Sequence, residues 1–295
     1  MTDRRQKTTA FSLKGLFAVV VWGASFVATR IALETLNPVA LVAIRLLLGA
    51  GLLAVILRAT GHRVLPTHAD RTTCGLLGVV IAAHLLLQAR GLDYTSAINT
   101  GWIIGFIPVC IAVGAQLLGQ QRLARLGWIG VAVGTAGVLL VTLEKPPDFA
   151  HARLGDLLQI ASCLTWTLYT LASAGVIARQ GALRVTTFAM GAAALLCTIA
   201  ALGTGALRAP LTAEAVLAIA FLGLLCSGVG YYLWFAATHE RGPTRIAALL
   251  YLEPFVTLAV ATTLMNEPIT RSAILGGLCV LLGVYLVSRG SRPPR

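Results

Sequence analysis

Charged residues are scarce in this chain of 295 residues, which has only 11 acidic side chains. Charged residues make up 12% of the sequence, about half of the share typical of soluble domains. Hydrophobic residues make up 57%, and the mean hydropathy is +0.84. This composition excludes an ordinary soluble domain and indicates a chain that lies largely inside a membrane.

Sequence motifs of common enzymes and metal sites are also absent. No aspartate-rich prenyl-diphosphate motif, HExxH or GxSxG occurs, and the few acidic residues stand mostly at the ends of apolar runs. The six cysteines lie in apolar runs without a CxxC pair, where a thiol behaves as a small hydrophobe. We therefore expect no catalytic residue, no metal site and no cofactor. A receptor or scaffold role is disfavoured because no long loop is available to carry it.

Ten apolar runs of roughly membrane-spanning length recur along the chain. The first is too long for the apolar region of a cleaved signal peptide, so we interpret it as a span. The sequence predicts an all-α integral membrane protein with ten transmembrane helices. Their predicted bounds are 12–33, 38–58, 72–92, 97–118, 125–143, 154–177, 186–206, 214–237, 243–265 and 272–289.

The net charge of +12 is best read as a topology signal. No basic helix face, zinc spacing or aromatic RNA platform accompanies it, so nucleic acid is not expected as a partner. Sixteen lysines and arginines flank the predicted spans on one side, against five on the other, namely Arg90, Lys145, Arg153, Arg208 and Arg271. The positive-inside rule then predicts that both termini are cytoplasmic.

The chain also matches itself when it is shifted by 146 residues. The matched pairs are Pro108 with Pro254, Gln121 with Glu267, Gly130 with Gly276, and Gly137 with Gly283. We interpret residues 1–143 as a first five-helix repeat, 144–153 as a loop, and 154–295 as a second repeat. Because five crossings are an odd number, the second repeat would be inverted relative to the first. Inverted repeats are typical of secondary transporters, whose substrate site lies near the midplane between the repeats.

Several short motifs resemble one family of transporters. They are Trp22-Gly23-Ala24-Ser25-Phe26, Asn37-Pro38 followed by Ile44-Arg45, Glu253-Pro254-Phe255, and Asn266-Glu267-Pro268-Ile269. In this order the motifs resemble the drug/metabolite transporter superfamily, EamA branch, and within it the bacterial aromatic amino acid exporters. Gln121 departs from the usual acidic turn, which Glu267 keeps.

The resemblance implies a basket of ten helices around a central cavity. Spans 1, 3, 4, 6, 8 and 9 would line this cavity, spans 5 and 10 would be peripheral, and the protein would export metabolites across the inner membrane. Aromatic and hydrogen-bonding residues concentrate in the implied lining spans, where two tryptophans could form aromatic walls for a flat substrate. The predicted substrate-binding residues are Trp22, Ser25, His84, Gln88, Asn99, Trp102, Trp166, Tyr169, Tyr231, Trp234 and Tyr251.

The spacing of these residues supports their prediction as substrate-binding residues, although each of them could also have a purely structural role. Trp22 and Ser25 share one helix face, and Trp166 and Tyr169 repeat the same spacing. Ordinary packing, or an interfacial position for the tryptophans, is the alternative. His84 lies deep in the third span, where a polar side chain needs a polar neighbour or water and where a histidine could respond to pH.

Four further residues carry open alternatives. Glu253 is either a hydrogen-bonded residue at a helix break or a proton-coupling carboxylate. Pro108 and Pro254 predict matched kinks that could act as hinges. For Arg45 we favour a structural role, paired with Glu34 or water, over carboxylate binding. A further pair, Arg30 with Glu34, has the i, i+4 spacing of a helix ion pair.

The predicted function is an inner-membrane exporter of small metabolites, chiefly aromatic and other apolar amino acids, by downhill facilitated efflux. The alternative is a proton-coupled antiporter of drugs or other metabolites. Predicted partners are a small-molecule substrate and the lipid bilayer. The glycines of spans five and ten predict close helix packing, either within a monomer or in a homodimer.

Overall fold

The computed structural model describes residues 12–61, 63, 65–143, 150–203, 205, 208, 210–241 and 246–292. In chain order its helices are α1 (Leu13–Leu33), α2 (Pro38–Ala59), α3 (His68–Leu92), α4 (Ala97–Ile104), α5 (Ile107–Leu117), α6 (Arg125–Leu143), α7 (Ala150–Gln180), α8 (Ala182–Leu202), α9 (Ala213–Ala220), α10 (Tyr231–Arg241), α11 (Glu253–Leu264) and α12 (Arg271–Gly290). A π-helical segment, Phe221–Gly230, joins α9 to α10, and a 3-10 segment, Ala248–Leu252, leads into α11. Two short strands, β1 (Arg122–Leu123) and β2 (Ser291–Arg292), pair antiparallel.

Nine stretches among the described residues are long and apolar enough to cross a membrane. They coincide with nine of the ten predicted spans, with α4 and α5 forming one stretch and α9 to α10 another. The remaining apolar helix, Leu249–Leu264, is shorter. It corresponds to the predicted ninth span, of which residues 243–245 lie outside the described residues. The protein is therefore a mostly helical membrane protein with many spans.

Polar residues fix where several helices begin. The side-chain oxygen of Asn37 accepts a hydrogen bond of 2.8 Å from the backbone N–H of Ala40, and Pro38 follows as the first residue of α2. Ser96 caps α4 in the same way, accepting a 3.0 Å hydrogen bond from the backbone of Asn99. Such caps satisfy backbone donors that have no partner inside the helix.

A helix break precedes each of the two prolines, Pro108 and Pro254, that align when the sequence is shifted by 146 residues. Pro108 is the second residue of α5, which starts after the turn that ends α4. Pro254 is the second residue of α11, which follows the 3-10 segment. A proline fits the first turn of a helix because its missing N–H would be unpaired there in any case. The breaks thus interrupt one stretch in each half of the chain.

Helices α6 and α12 pack closely in antiparallel directions. A Cβ added to Gly137 would lie 2.6 Å from the carbonyl oxygen of Gly276, and one added to Gly130 would lie 2.5 Å from that of Gly283. At one end of this pair, Arg122 of β1 is opposite Arg292 of β2. The glycines of predicted spans five and ten therefore pack against each other within one chain.

Gln121 and Glu267 lie at opposite ends of α12. Gln121 immediately precedes β1, which pairs with the strand that follows α12, whereas Glu267 precedes the first residue of that helix. The 20 residues of α12 separate the two positions by about 30 Å. We name the two ends of the bundle the Gln121 end and the Glu267 end.

Ionic contacts tie helices together at the Glu267 end. The Glu267 carboxylate accepts hydrogen bonds of 3.0 Å from the backbone N–H groups of Ala97 and Ile98, at the positive N-terminus of α4. Arg30 lies 3.8 Å from the same carboxylate and donates to the carbonyl of Thr95. The predicted pairing of Arg30 with Glu34 is therefore wrong, because the arginine turns across to Glu267 and Glu34 is exposed.

Asp93 and Arg208 form a second contact at the Glu267 end. Both guanidinium nitrogens of Arg208 donate to the carboxylate of Asp93, at 2.6 and 2.8 Å. These charged hydrogen bonds favour the ionised carboxylate, so Arg208 lowers the pKa of Asp93 from its ordinary value. At the Gln121 end, Lys14 of α1 pairs with Glu240 of α10.

Candidate functional site

A small cavity lies in the middle of the bundle where seven of the helical stretches meet. Its volume is about 30 Å³, and we call it the central cavity. The lining residues are Trp22, Ser25, Phe26, Arg45, His84, Leu85, Gln88, Ile104, Ile107, Trp166, Tyr231, Leu250 and Glu253. This space holds a water molecule or two, whereas ligand pockets measure roughly 300–1,000 Å³. The central cavity is therefore too small for a metabolite, and the bundle must widen around it to admit one.

Seven residues singled out from the sequence meet at this cavity. They come from five separate stretches of the chain, and all are at least nine-tenths buried. Six were predicted as substrate-binding residues and the seventh as a possible coupling group. They are Trp22, Ser25, His84, Gln88, Trp166, Tyr231 and Glu253.

The aromatic residues form a continuous cluster around the central cavity. Trp22 and Trp166 meet edge to face with ring centroids 5.2 Å apart, and Tyr231 lies 5.4 Å from each of them. Tyr169 stacks on Trp166 at 6.3 Å, and Trp234 lies 5.2 Å from Trp22. Tyr169 and Trp234 thus support the lining rings from behind without lining the cavity themselves.

Three predicted substrate-binding residues lie outside the cavity lining. Trp102 faces α12, where a Cβ on Gly277 would lie 2.6 Å from its ring. The hydroxyl of Tyr251 donates to the carbonyl of Val284, also in α12, at 3.3 Å. Asn99 lies in the first turn of α4 and is partly exposed. The rotation of these segments turns Ile104 and Leu250 toward the cavity instead.

The π-helical segment supplies polar partners to the lining. The indole N–H of Trp22 donates to the carbonyl of Cys226 at 3.1 Å, and Nε of Arg45 donates to the hydroxyl of Ser227 at 3.0 Å. Segments of π-helix are rare and often mark functional sites. No sequence pattern predicts this segment, although it contains three glycines, Gly223, Gly228 and Gly230.

Arg45 is a lining residue that the sequence analysis left out of the site. Its side chain is 3% exposed, and its Nε donates to Ser227, whereas Glu34 or water was the expected partner. The signal that could have found it was present, because an intramembrane charge is a functional candidate by default. Arg45 was not predicted as a site residue because span 2 was not expected to line the cavity.

His84 has one ring nitrogen fixed by the protein. Nδ1 lies 3.0 Å from the carbonyl oxygen of Ser162, and since a carbonyl oxygen only accepts, Nδ1 carries the hydrogen of that bond. In the neutral ring Nε2 is then an acceptor. The imidazole also packs against Trp166 with ring centroids 5.1 Å apart. His84 therefore offers an acceptor beside the aromatic wall.

Several buried polar atoms at the cluster have no hydrogen-bond partner among the described residues. They are Nε1 of Trp166 and of Trp234, the hydroxyl of Tyr169, and Oε2 of Glu253. Each such group costs about 1–3 kcal/mol when it stays unpaired. Apolar walls with a few unused polar groups are typical of a small-molecule site. Within the described chain, no three His, Cys, Asp or Glu side chains gather as metal ligands would.

The chain is similar to proteins that are named as transporters. It is 27% identical to an uncharacterised transporter of Archaeoglobus fulgidus over 92% of this chain and 94% of that protein. It is 29% identical to a probable terminal-alkyne amino-acid exporter of Streptantibioticus cattleyicolor over 93% of this chain and 92% of that protein. An uncharacterised inner membrane transporter of Escherichia coli, YedA, is 21% identical, with 93% and 90% covered.

One solved crystal structure shares the fold with a TM-score of 0.70 at 20% sequence identity, covering 93% of this chain and 95% of the other. A sequence profile of the EamA-like transporter family matches residues 11–143 and matches again over residues 153–289. These two matches span nearly the whole chain. The protein therefore belongs to the EamA-like transporter family and is a multi-span membrane transporter.

Proposed function

We propose that this transporter exports small metabolites, chiefly aromatic and other apolar amino acids, by alternating access and downhill facilitated efflux. The observation that carries the proposal is the central cavity, where Trp22, Trp166 and Tyr231 surround a space bordered by polar side chains. Flat aromatic rings offer large apolar contact areas to a substrate side chain. The name of the Streptantibioticus relative, a probable amino-acid exporter, agrees with this substrate class.

The proposed architecture consists of two five-helix repeats, residues 1–143 and 154–295, that are inverted relative to each other across the loop 144–153. Support comes from the antiparallel packing of α6 on α12 and from the separation of Gln121 and Glu267 at opposite ends of α12. The proposal places the Gln121 end and both termini in the cytoplasm, as the distribution of basic residues predicts. It also places the protein in the bacterial inner membrane, where YedA by its name resides.

Opening of the central cavity is proposed to involve the two helix breaks. Pro108 and Pro254 are each the second residue of a helix whose first residue, Ile107 or Glu253, lines the cavity. Breaks of this kind leave few backbone hydrogen bonds to resist bending. Movement of α5 and α11 about these points would expose the cavity alternately at the Gln121 end and at the Glu267 end.

A proton-coupled antiporter of drugs or other metabolites is the second candidate. It is favoured by one observation, the buried carboxyl of Glu253, whose Oε2 has no hydrogen-bond partner among the described residues. His84 is the other titratable side chain that lines the cavity and could exchange a proton. Downhill efflux needs no such exchange, and we therefore place it first.

Reconstituted protein tests the proposed function. Uptake of radiolabelled phenylalanine, tryptophan and methionine should exceed that of protein-free liposomes, with no ion gradient applied. Flux equal to that of protein-free liposomes for every amino acid would overturn the proposal. A drug that is transported only with a proton gradient would favour the second candidate.

A further inference from the structure

Arg45 carries a permanent charge deep inside the bundle. The guanidinium stays protonated in proteins, and this one is 3% exposed. It forms no ion pair with any described residue, and its side-chain hydrogen bond among these residues goes from Nε to the hydroxyl of Ser227. A buried charge without a counter-charge is costly, so a purely structural arginine would be expected to have a carboxylate partner.

The uncompensated guanidinium borders the central cavity. Nε of Arg45 donates a hydrogen bond to Ser227, and this bond fixes the orientation of the guanidinium plane. Gly49, one turn further along α2, lies against Ser227, where an added Cβ would come within 2.9 Å. This close approach between α2 and the π-helical segment holds the arginine at the cavity wall. Its terminal nitrogens are then free to form the paired hydrogen bonds that a carboxylate accepts.

Glu253 lines the same cavity and, like Arg45, forms no ion pair with any residue in the described part of the chain. The residue is 3% exposed, and Oε2 has no hydrogen-bond partner in the described structure. The next residue, Pro254, has no backbone N–H to offer, so the first turn of α11 satisfies the carboxyl less well than an ordinary helix start. A carboxyl in this position is an acceptor for an ammonium group.

Trp166 adds a donor to the same wall. Its buried indole Nε1 has no hydrogen-bond partner among the described residues, whereas the indole N–H of Trp22 donates to the carbonyl of Cys226. The cavity thus combines one cation, one carboxyl, one free N–H and a set of aromatic rings. A ligand that matches all of them has a carboxylate, an ammonium group and an apolar side chain.

We infer that Arg45 and Glu253 form a zwitterion-binding site, in which Arg45 binds the α-carboxylate and Glu253 the α-ammonium group of an amino acid. The inference rests on the proposed function and specifies how its substrate is recognised. The aromatic rings take the side chain, and the cavity widens around the ligand when one end of the bundle opens. Each of the two buried side chains thus gains a polar partner from one end of the same ligand molecule.

A binding assay on the purified full chain tests the inference without requiring transport. Intrinsic tryptophan fluorescence is titrated with L-phenylalanine, with phenethylamine, which lacks the carboxylate, and with 3-phenylpropanoate, which lacks the amine. Wild-type protein should bind phenylalanine about thirtyfold more tightly than either analogue, the scale of losing one partner of a buried charge pair. Equal affinity for all three compounds would overturn the inference.

Variants then test which residue binds each end of the ligand. Arg45→Gln should weaken phenylalanine binding about thirtyfold and leave phenethylamine binding unchanged, while Glu253→Gln should leave 3-phenylpropanoate binding unchanged. Arg58→Gln, an exposed arginine on the same helix, and Glu34→Gln, an exposed carboxylate, are matched controls that should behave as wild type. The assignment would be contradicted if the control variants also lost their preference for phenylalanine over the two analogues. It would also be contradicted if both site variants kept that preference.

The outcomes separate this inference from the proposed function. Phenylalanine flux without discrimination among the three compounds supports amino acid export and overturns the zwitterion site. Selective binding without flux supports the site and overturns export. Because the comparison of the three compounds uses wild-type protein, it remains decisive if Arg45→Gln does not fold. Tight binding of 3-phenylpropanoate alone would indicate an anion site, and that of phenethylamine alone a cation site; either result contradicts the inference.

Discussion

The rings of Trp22 and Trp166 meet edge to face in the middle of the bundle, with centroids 5.2 Å apart and planes inclined by 84°. The two residues are 144 positions apart in the sequence and belong to α1 and α7, the first helices of the two proposed repeats. Tyr231 touches both rings at 5.4 Å. The two halves therefore meet at the cavity through an aromatic contact, and it must separate or rearrange when a substrate enters.

Replacement of Trp166 tests the aromatic wall. Trp166→Ala removes ring contacts with Trp22 and Tyr231, each worth about 0.5–1.5 kcal/mol, so phenylalanine flux should fall about tenfold or more. The measurement is initial uptake rate in liposomes at matched protein content. Trp128→Ala is the control, because that indole is 48% exposed on the outer face of α6. Full activity of Trp166→Ala would remove this residue from the site.

Coupling can be tested on the unaltered protein. Downhill efflux predicts that phenylalanine flux driven by its own gradient stays the same when a proton gradient is imposed or collapsed with a protonophore. The measurement is uptake into liposomes of defined internal and external pH. Accumulation of phenylalanine against its gradient, driven by protons, would contradict passive transport. Loss of that accumulation in His84→Ala, with flux retained, would then identify the coupling group.

Close packing of α6 on α12 predicts a sharp sensitivity to added volume. Gly137→Ala would place a methyl group 2.6 Å from the carbonyl oxygen of Gly276, so the variant should lose about 1–3 kcal/mol of stability. Thermal unfolding in detergent measures the loss. At Gly75 of α3 an added Cβ meets nothing within 4 Å, so Gly75→Ala should be neutral or stabilising by up to about 1 kcal/mol. Equal melting temperatures for both variants would contradict the packing.

Inverted topology can be tested by labelling in intact cells. Single cysteines replace Gln120 or Ile269, exposed neighbours of Gln121 and Glu267, in a background where the six native cysteines are changed to alanine. A membrane-impermeant maleimide should label Ile269→Cys from outside and Gln120→Cys only after permeabilisation. The cysteine-free background is the control and should stay unlabelled. Labelling of both positions from the same side would contradict the proposed repeats.

Most of the fold could be predicted from the sequence because each apolar run is about as long as a bilayer is thick. Nine described stretches coincide with predicted spans, while their ends differ by several residues, as in α7, which extends to Gln180. In the ninth predicted span, the described apolar stretch Leu249–Leu264 contains a change from 3-10 to α-helix just before Pro254. A hydropathy pattern does not reveal how a helix is segmented, because segmentation depends on neighbouring helices that satisfy the freed backbone groups.

The site was partly predictable for a related reason. His84 and Gln88 stood out because polar side chains inside a membrane are costly, and the structure places both at the cavity. Trp102 lies outside the cavity lining because its ring packs against Gly277 of α12, and packing against a distant glycine has no local sequence signal. Arg45 lines the cavity because the π-helical segment presents Ser227 to it, which no periodic pattern predicts.

Counterflow of phenylalanine tests the central claim, that the aromatic cavity carries an amino acid across the membrane by alternating access. Liposomes that contain the protein and are loaded with unlabelled phenylalanine are diluted into a trace of labelled phenylalanine, with no ion gradient. The account predicts a transient accumulation of label above equilibrium that protein-free liposomes lack and that Trp166→Ala strongly reduces. A monotonic approach to equilibrium, identical with and without protein, would contradict it.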